Sequence, residues 1–173
     1  MNKHILIFEG PDRCGKTEIG KALSEILGTA YFKNSNEQVN FVNKNTLDAF
    51  KYETHYLLQL LKQIQFGANG IVLDRHFPSE YVYAHAYDRK TDDALIWWFD
   101  DEFAKLGAKI IYCYKSEYKN YDDEIIQLDD IKNIREQYET QYLPLSNMPI
   151  IKIDTSDENL PNQLSYILSQ INK

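Results

Sequence analysis

Short, uniformly apolar runs alternate along this chain with longer stretches of helical periodicity. Residues 3–9 hold Ile5-Leu6-Ile7-Phe8, apolar at every position rather than every second one. That is the pattern of a strand buried on both faces of a parallel sheet. From Lys16 to Leu27 the apolar residues fall at Ile19, Leu23, Ile26 and Leu27, one stripe of a helix closed by Gly28. Residues 29–33 read as a short second strand, and the polar, Asn-rich residues 34–45 as a loop. Leu47, Phe50, Leu57, Leu61 and Ile64 then mark a long helix ended by Gly67-Ala68-Asn69-Gly70. Ile71-Val72-Leu73 is a third buried strand, with Asp74-Arg75 at its carboxyl end, followed by a helical run over 79–85. A helix rich in Trp and Phe over 94–106, closed by Gly107, leads to a strand at Lys109–Tyr114. Residues 115–128 are polar and acidic. After them come a helix carrying Ile131, Ile134, Tyr138 and Tyr142 and stopped by Pro144, a fifth strand at 150–153, and a closing helix at Leu160–Ile171. Strands alternating with helices predict an α/β fold whose parallel sheet is covered on both faces. With no linker and no internal repeat, residues 1–173 are expected to form one domain.

Composition narrows the surroundings more than the chemistry. The chain has 173 residues and a mass of 20.3 kDa, 43% of them hydrophobic, enough for a core without metal or disulfides. Its two cysteines, Cys14 and Cys113, form neither a disulfide framework nor a zinc cluster, which fits a reducing cytoplasm. No apolar run nears the ~18 residues of a membrane span, and the start of the chain lacks the features of a signal peptide. Cytoplasmic residence is the expectation, in a host cell if the gene belongs to a phage. The net charge of −7 opposes binding along a phosphate backbone, though it leaves room for a local basic pocket.

The chemistry is concentrated after the first strand. Gly10-Pro11-Asp12-Arg13-Cys14-Gly15-Lys16-Thr17 fills the Walker A pattern G-x-x-x-x-G-K-[ST], and it does so between an apolar strand and an amphipathic helix. Glycines let the backbone curl its amides around phosphate oxygens, and the helix opening at Lys16 turns its positive end toward them. Lys16 adds a full charge, and the Thr17 hydroxyl is suited to Mg2+. ATP is therefore the expected ligand. Cys14 is read as a small filler rather than an activated thiol.

Phe8-Glu9-Gly10-Pro11-Asp12-Arg13 ahead of Cys14-Gly15-Lys16-Thr17 resembles the phosphate loop of thymidylate kinases, particularly those with an Asp-Arg pair inside it. Asp74-Arg75-His76, with Ser79 and Tyr83 beyond, resembles the Asp-Arg-Tyr segment of the same family. The resemblance implies a three-layer P-loop kinase fold with a five-stranded parallel sheet, and phosphoryl transfer from ATP with Mg2+. It implies that Asp12 bonds the acceptor's sugar 3'-hydroxyl and that Arg13 reaches the transferring phosphoryl group. Asp74 would organise Mg2+ with Thr17, and Arg75 would clamp the acceptor phosphate with the planar fork of a guanidinium. Catalysis would then rest on Lys16, Arg13 and Asp74. Ser79 and Tyr83 would line the acceptor site, and His76 would be a packing residue. From the residues alone, Asp74-Arg75 is equally a plain strand terminus, and Asp12 with Arg13 a pair that merely pins the loop.

Three departures from that family matter. Phe50 matches the aromatic that stacks on the base, or is an ordinary core residue, but Thr54 stands where the family has a base-reading Arg. Lys33 is the nearest substitute for an Arg expected after the second strand. The lid segment, about 115–128, carries no arginine and only Lys115 and Lys119, which fits Arg13 supplying the guanidinium from the loop. The favoured acceptor is a pyrimidine deoxynucleoside monophosphate. A hydroxymethylated pyrimidine in DNA and a free deoxynucleoside are the alternatives. A GTPase would need Asn-Lys-x-Asp, and Asn43-Lys44-Asn45-Thr46 lacks the acid. Trp97, Trp98 and Phe99 exceed one buried stripe, so a homodimer face is expected on their helix.

Overall fold

The structure, a computed structural model, describes residues 3–33, 55, 58, 70–118 and 128–171. Five strands alternate with helices along it: β1 (His4–Glu9), α1 (Lys16–Leu27), β2 (Ala30–Lys33), β3 (Gly70–Asp74), α2 (Phe77–Ala86), α3 (Asp93–Lys105), β4 (Lys109–Tyr114), α4 (Leu128–Gln137), β5 (Ile150–Asp154) and α5 (Leu160–Ile171). The expected long helix over 47–64 falls outside the described residues apart from His55 and Leu58, both helical.

The strands pair in parallel in the order β2-β3-β1-β4-β5. Side chains alternate across a strand, and the two resulting faces bury separate cores. Leu6, Phe8, Val72, Ile111 and Cys113 pack with Ile19 and Leu23 of α1 and Ile167 and Ile171 of α5. Ile5, Ile7, Ile71, Leu73, Ile110 and Tyr112 pack with α2, α3 and α4 on the other side. The outcome is a three-layer α/β arrangement. The connection from β1 to β2 runs over one face and that from β3 to β4 over the other. The chain thus changes face between the adjacent strands β1 and β3, where open parallel sheets leave a crevice beyond their carboxyl ends.

Helix ends follow local chemistry. Gly28 closes α1 in the left-handed region at φ 62° and returns its N–H to Glu25. Asp92 caps α3 by accepting from the Leu95 N–H at 3.2 Å.

Two readings of the pattern need correction. Ile26 does not join the buried stripe of α1; it is 56% exposed, and the glycine face at Gly20 carries the contact with the sheet instead. The helix over 128–142 is also not α-helical throughout. It widens into a π-helical turn over Tyr138–Tyr142, which keeps both tyrosines fully buried. In α3 the three consecutive aromatics separate: Phe99 is in the core, Trp97 stacks on Tyr142 at 5.2 Å, and Trp98 is 42% exposed beside His55.

Candidate functional site

The registry of β1 with β3 sets Phe8 opposite Asp74, and the Arg75 N–H donates to the Phe8 carbonyl at 2.9 Å. The loop that leaves β1 and the residues that leave β3 therefore begin at the same height. Gly10 has φ 132°, and a Cβ there would lie 1.9 Å from the Cys113 carbonyl oxygen of β4. Only glycine passes that point. Gly15 turns in the left-handed region at φ 68° immediately before α1, and so does Arg13 at φ 62°.

Within the loop the Lys16 ammonium, buried at the start of α1, donates to the Pro11 carbonyl. Burial, followed by the nearby Arg75 charge, lowers its pKa to about 8. Thr17 donates its hydroxyl to Asp74 Oδ2 at 2.5 Å, so the loop and the end of β3 are joined directly. These residues, with Asp12, Arg13, Lys33 and Arg75, line a cavity of about 270 Å³. A second cavity of about 340 Å³ adjoins it at Arg13, Gly15 and Glu18 and extends to Lys115, Thr155, Glu158 and Gln163. Lys115 bonds Glu158 across that cavity at 2.5 Å.

On the other side of Asp74 the contacts converge on Arg75. Its backbone is left-handed at φ 63°, and its guanidinium donates to Asp12 Oδ1 at 2.5 Å and to Ser79 Oγ at 3.2 Å. The Tyr83 ring lies 4.9 Å from the guanidinium carbon, and the Tyr83 hydroxyl donates to the other Asp12 oxygen at 2.8 Å. Burial opposes the Asp12 charge, but Arg75, Lys16 and the Tyr83 hydroxyl outweigh it and hold the carboxyl below its usual range. Burial likewise opposes the Arg75 charge, and its anionic and phenolic neighbours keep it cationic.

Of the residues singled out from sequence, Asp12, Lys16, Thr17, Asp74, Arg75, Ser79 and Tyr83 form one contiguous set, with Arg13 at its rim. Phe50 and Thr54, and Lys119 of the lid segment, lie outside the described residues. Cys14 is fully buried, its sulfur 3.3 Å from the Tyr118 hydroxyl. His76 is buried too, against Phe77 and Phe103; burial lowers its pKa to about 3, so its ring is neutral.

The sequence reading missed three side chains of this site. Glu9 is fully buried below the loop and accepts from Ser79 Oγ at 2.5 Å, the Tyr138 hydroxyl at 2.7 Å and the His76 N–H at 2.8 Å. Burial raises its pKa, with Arg75 and these donors pulling against that. Tyr138 reaches it from the π-helical turn. Tyr31, on β2, donates to Asp74 Oδ2 at 2.7 Å. The one signal available was a carboxylate at the end of a wholly apolar strand, since a buried charge needs donors from elsewhere in the chain.

No family model and no curated protein sequence matches the chain. Solved structures do. The YorR protein of Bacillus subtilis, in complex with phosphorylated GDP, superposes with a TM-score of 0.70 at 22% identity, covering 97% of this chain and 95% of that one. Deoxyadenosine kinase from M. mycoides, with the products dCMP and a flexible dCDP, superposes at 0.62 with 17% identity, covering 96% and 98%. Thymidylate kinase from Candida albicans gives 0.57 at 17% identity, covering 99% and 93%. The fold is that of the P-loop kinases, and its strand ends carry the cavity described above.

Proposed function

We propose that this chain is an ATP-dependent kinase that uses Mg2+ to transfer a phosphoryl group to a deoxynucleoside monophosphate, with a pyrimidine, dTMP-like acceptor favoured. The observation that carries the reading is the junction of the two strand ends. A phosphate loop and an acid–guanidinium pair meet at one cavity through the Thr17–Asp74 and Asp12–Arg75 bonds. The fold's resemblance to kinases of nucleosides and nucleotides supports it.

In this reading the amides of residues 10–17 and the Lys16 ammonium hold the β- and γ-phosphates of ATP, and Lys16 exchanges the Pro11 carbonyl for them. Thr17 and Asp74 present a hydroxyl and a carboxylate at contact distance, an oxygen set suited to a hard divalent cation. When bound, Mg2+ neutralises charge on the phosphate oxygens. Arg13, at the junction of the two cavities, faces the transferred group. Arg75 exchanges its Asp12 partner for the acceptor's phosphate, which frees Asp12 for the sugar 3'-hydroxyl. Little covalent chemistry is asked of the protein; alignment and neutralisation of charge supply the rate.

A free deoxynucleoside acceptor is the second reading, favoured by the likeness to a deoxyadenosine kinase. The test is a transfer panel with Mg-ATP, offering deoxynucleoside monophosphates, deoxynucleosides and DNA containing hydroxymethylated pyrimidines. Labelling of a monophosphate is expected. Labelling of nucleosides alone installs the second reading, and labelling of DNA alone, or of nothing, overturns both.

A further inference from the structure

Asp74 is held from a direction that the phosphate loop does not explain. Its Oδ2 accepts the Thr17 hydroxyl at 2.5 Å and the Tyr31 hydroxyl at 2.7 Å. Tyr31 stands on β2, at the edge of the sheet and paired with Val72, two residues before Asp74 on the neighbouring strand. Its ring lies against α1. A Cβ placed on Gly20 would be 3.4 Å from Tyr31 Cε2, and a larger side chain would take the ring's place. The missing side chain in the middle of a helix, ordinarily unfavourable, leaves the slot through which the phenol reaches the carboxylate.

We propose that Tyr31 is a positioning residue that fixes the Asp74 carboxylate in the orientation from which, together with Thr17, it serves the divalent cation of the bound nucleotide. The inference rests on the phosphoryl-transfer reading for the presence of that cation. Its own basis is the pair of hydroxyl donors on one carboxylate oxygen. The two donors differ in what a cation asks of them. The Thr17 oxygen has lone pairs to offer the ion while its O–H still donates to Asp74. Tyr31 reaches the carboxylate from β2, outside the phosphate loop, so its bond does not depend on how the loop takes up the ion. A carboxylate with both donors cannot swing about its side-chain bonds without breaking the Tyr31 contact. With Thr17 alone it turns freely whenever the threonine adjusts. Partners of this kind, one step removed from the ion, typically alter metal affinity 10- to 100-fold when lost.

Tyr31→Phe removes one oxygen and keeps the ring in its slot. The measurement is Mn2+ binding to the protein–ADP complex, followed by proton relaxation or electron paramagnetic resonance, alongside ADP binding in excess chelator. In the variant, Mn2+ affinity is expected to fall about 10-fold, with metal-free ADP affinity unchanged. The Mg2+ concentration for half-maximal transfer should rise while kcat at saturating Mg2+ stays within about twofold. Unchanged Mn2+ affinity would overturn the proposal. So would an equal fall in Mn2+ and metal-free ADP affinity, because the phenol would then be holding the loop rather than the carboxylate. Wild-type protein that binds Mn2+ with ADP yet phosphorylates no acceptor defeats the kinase reading and leaves Tyr31's role standing. Wild-type protein that binds no Mn2+ with ADP defeats both.

Discussion

Lys16 carries the clearest consequence at the scale of single residues. Its pKa of about 8 comes from burial and from the charge of Arg75. A bound polyphosphate favours the charged form and returns the pKa toward the ordinary lysine range near 10.4. Below pH 8 the free protein already holds that proton, and above it the proton must be taken up on binding. Nucleotide affinity should therefore fall as pH rises from 8 to 10, with net proton uptake. Titration calorimetry in buffers of different ionisation enthalpy reads the uptake directly. Arg13→Ala should cost far more turnover than Lys119→Ala, because Arg13 borders both cavities; equal losses would move the chemistry to the lid segment. The loop was legible in the sequence because its logic is local: eight consecutive residues with fixed glycine spacing. The Asp12–Arg75 bond was not, since the partners lie 63 residues apart and Asp12 had an adjacent arginine to suggest itself. Tyr31 was hidden for the same reason, read only as part of a short strand.

Elements position these residues through contacts that a periodicity cannot express. The apolar spacing of Ile131, Ile134, Tyr138 and Tyr142 fits a continuous α-helix, and nothing in it announces the π-helical turn. Both ends of the turn meet a buried carboxylate: Tyr138 donates to Glu9, and Tyr142 donates to Asp100 at 2.8 Å. Glu9→Gln tests that arrangement. The Glu9 oxygens receive three donors, and an amide must turn its own NH2 toward at least one of them. A loss of about 1–3 kcal/mol is expected, the usual cost of a buried polar group left without a partner. Chemical denaturation would measure it, and an unchanged midpoint would mean that the three donors on Glu9 add nothing to the fold. Gly10→Ala should be worse, because its Cβ would meet a backbone carbonyl at 1.9 Å in a conformation that only glycine adopts readily. A stability loss of about 3 kcal/mol or more, or failure to fold, is the expected outcome. The inner strands β1, β3 and β4 were easy to read, since both-face burial makes each a nearly solid apolar run. The stripe of α1 was overread at Ile26 because Gly20, not a large side chain, makes the close contact.

At the scale of the whole molecule, the site belongs to no single element. It takes the loop after β1, the residues after β3, a phenol from β2 and another that reaches Glu9 from 129 residues away. Sequence could place the strand ends at one rim once a parallel sheet was assumed, but not the order β2-β3-β1-β4-β5 that makes β1 and β3 neighbours. Because these segments meet only in the folded chain, unfolded protein has no site, and ligand binding pulls on the folding equilibrium. At a hundredfold excess over its dissociation constant, Mg-ATP should add about 2.7 kcal/mol and raise the melting temperature by roughly 5–10 °C. A thermal scan with and without nucleotide checks this. Stabilisation by bound nucleotide would thus tie inheritance to metabolism through the junction of β1 with β3. In a cell rich in nucleotide, a core variant that loses about 2 kcal/mol would then stay folded and pass unnoticed. The same variant would be exposed to proteolysis when the nucleotide pool runs down.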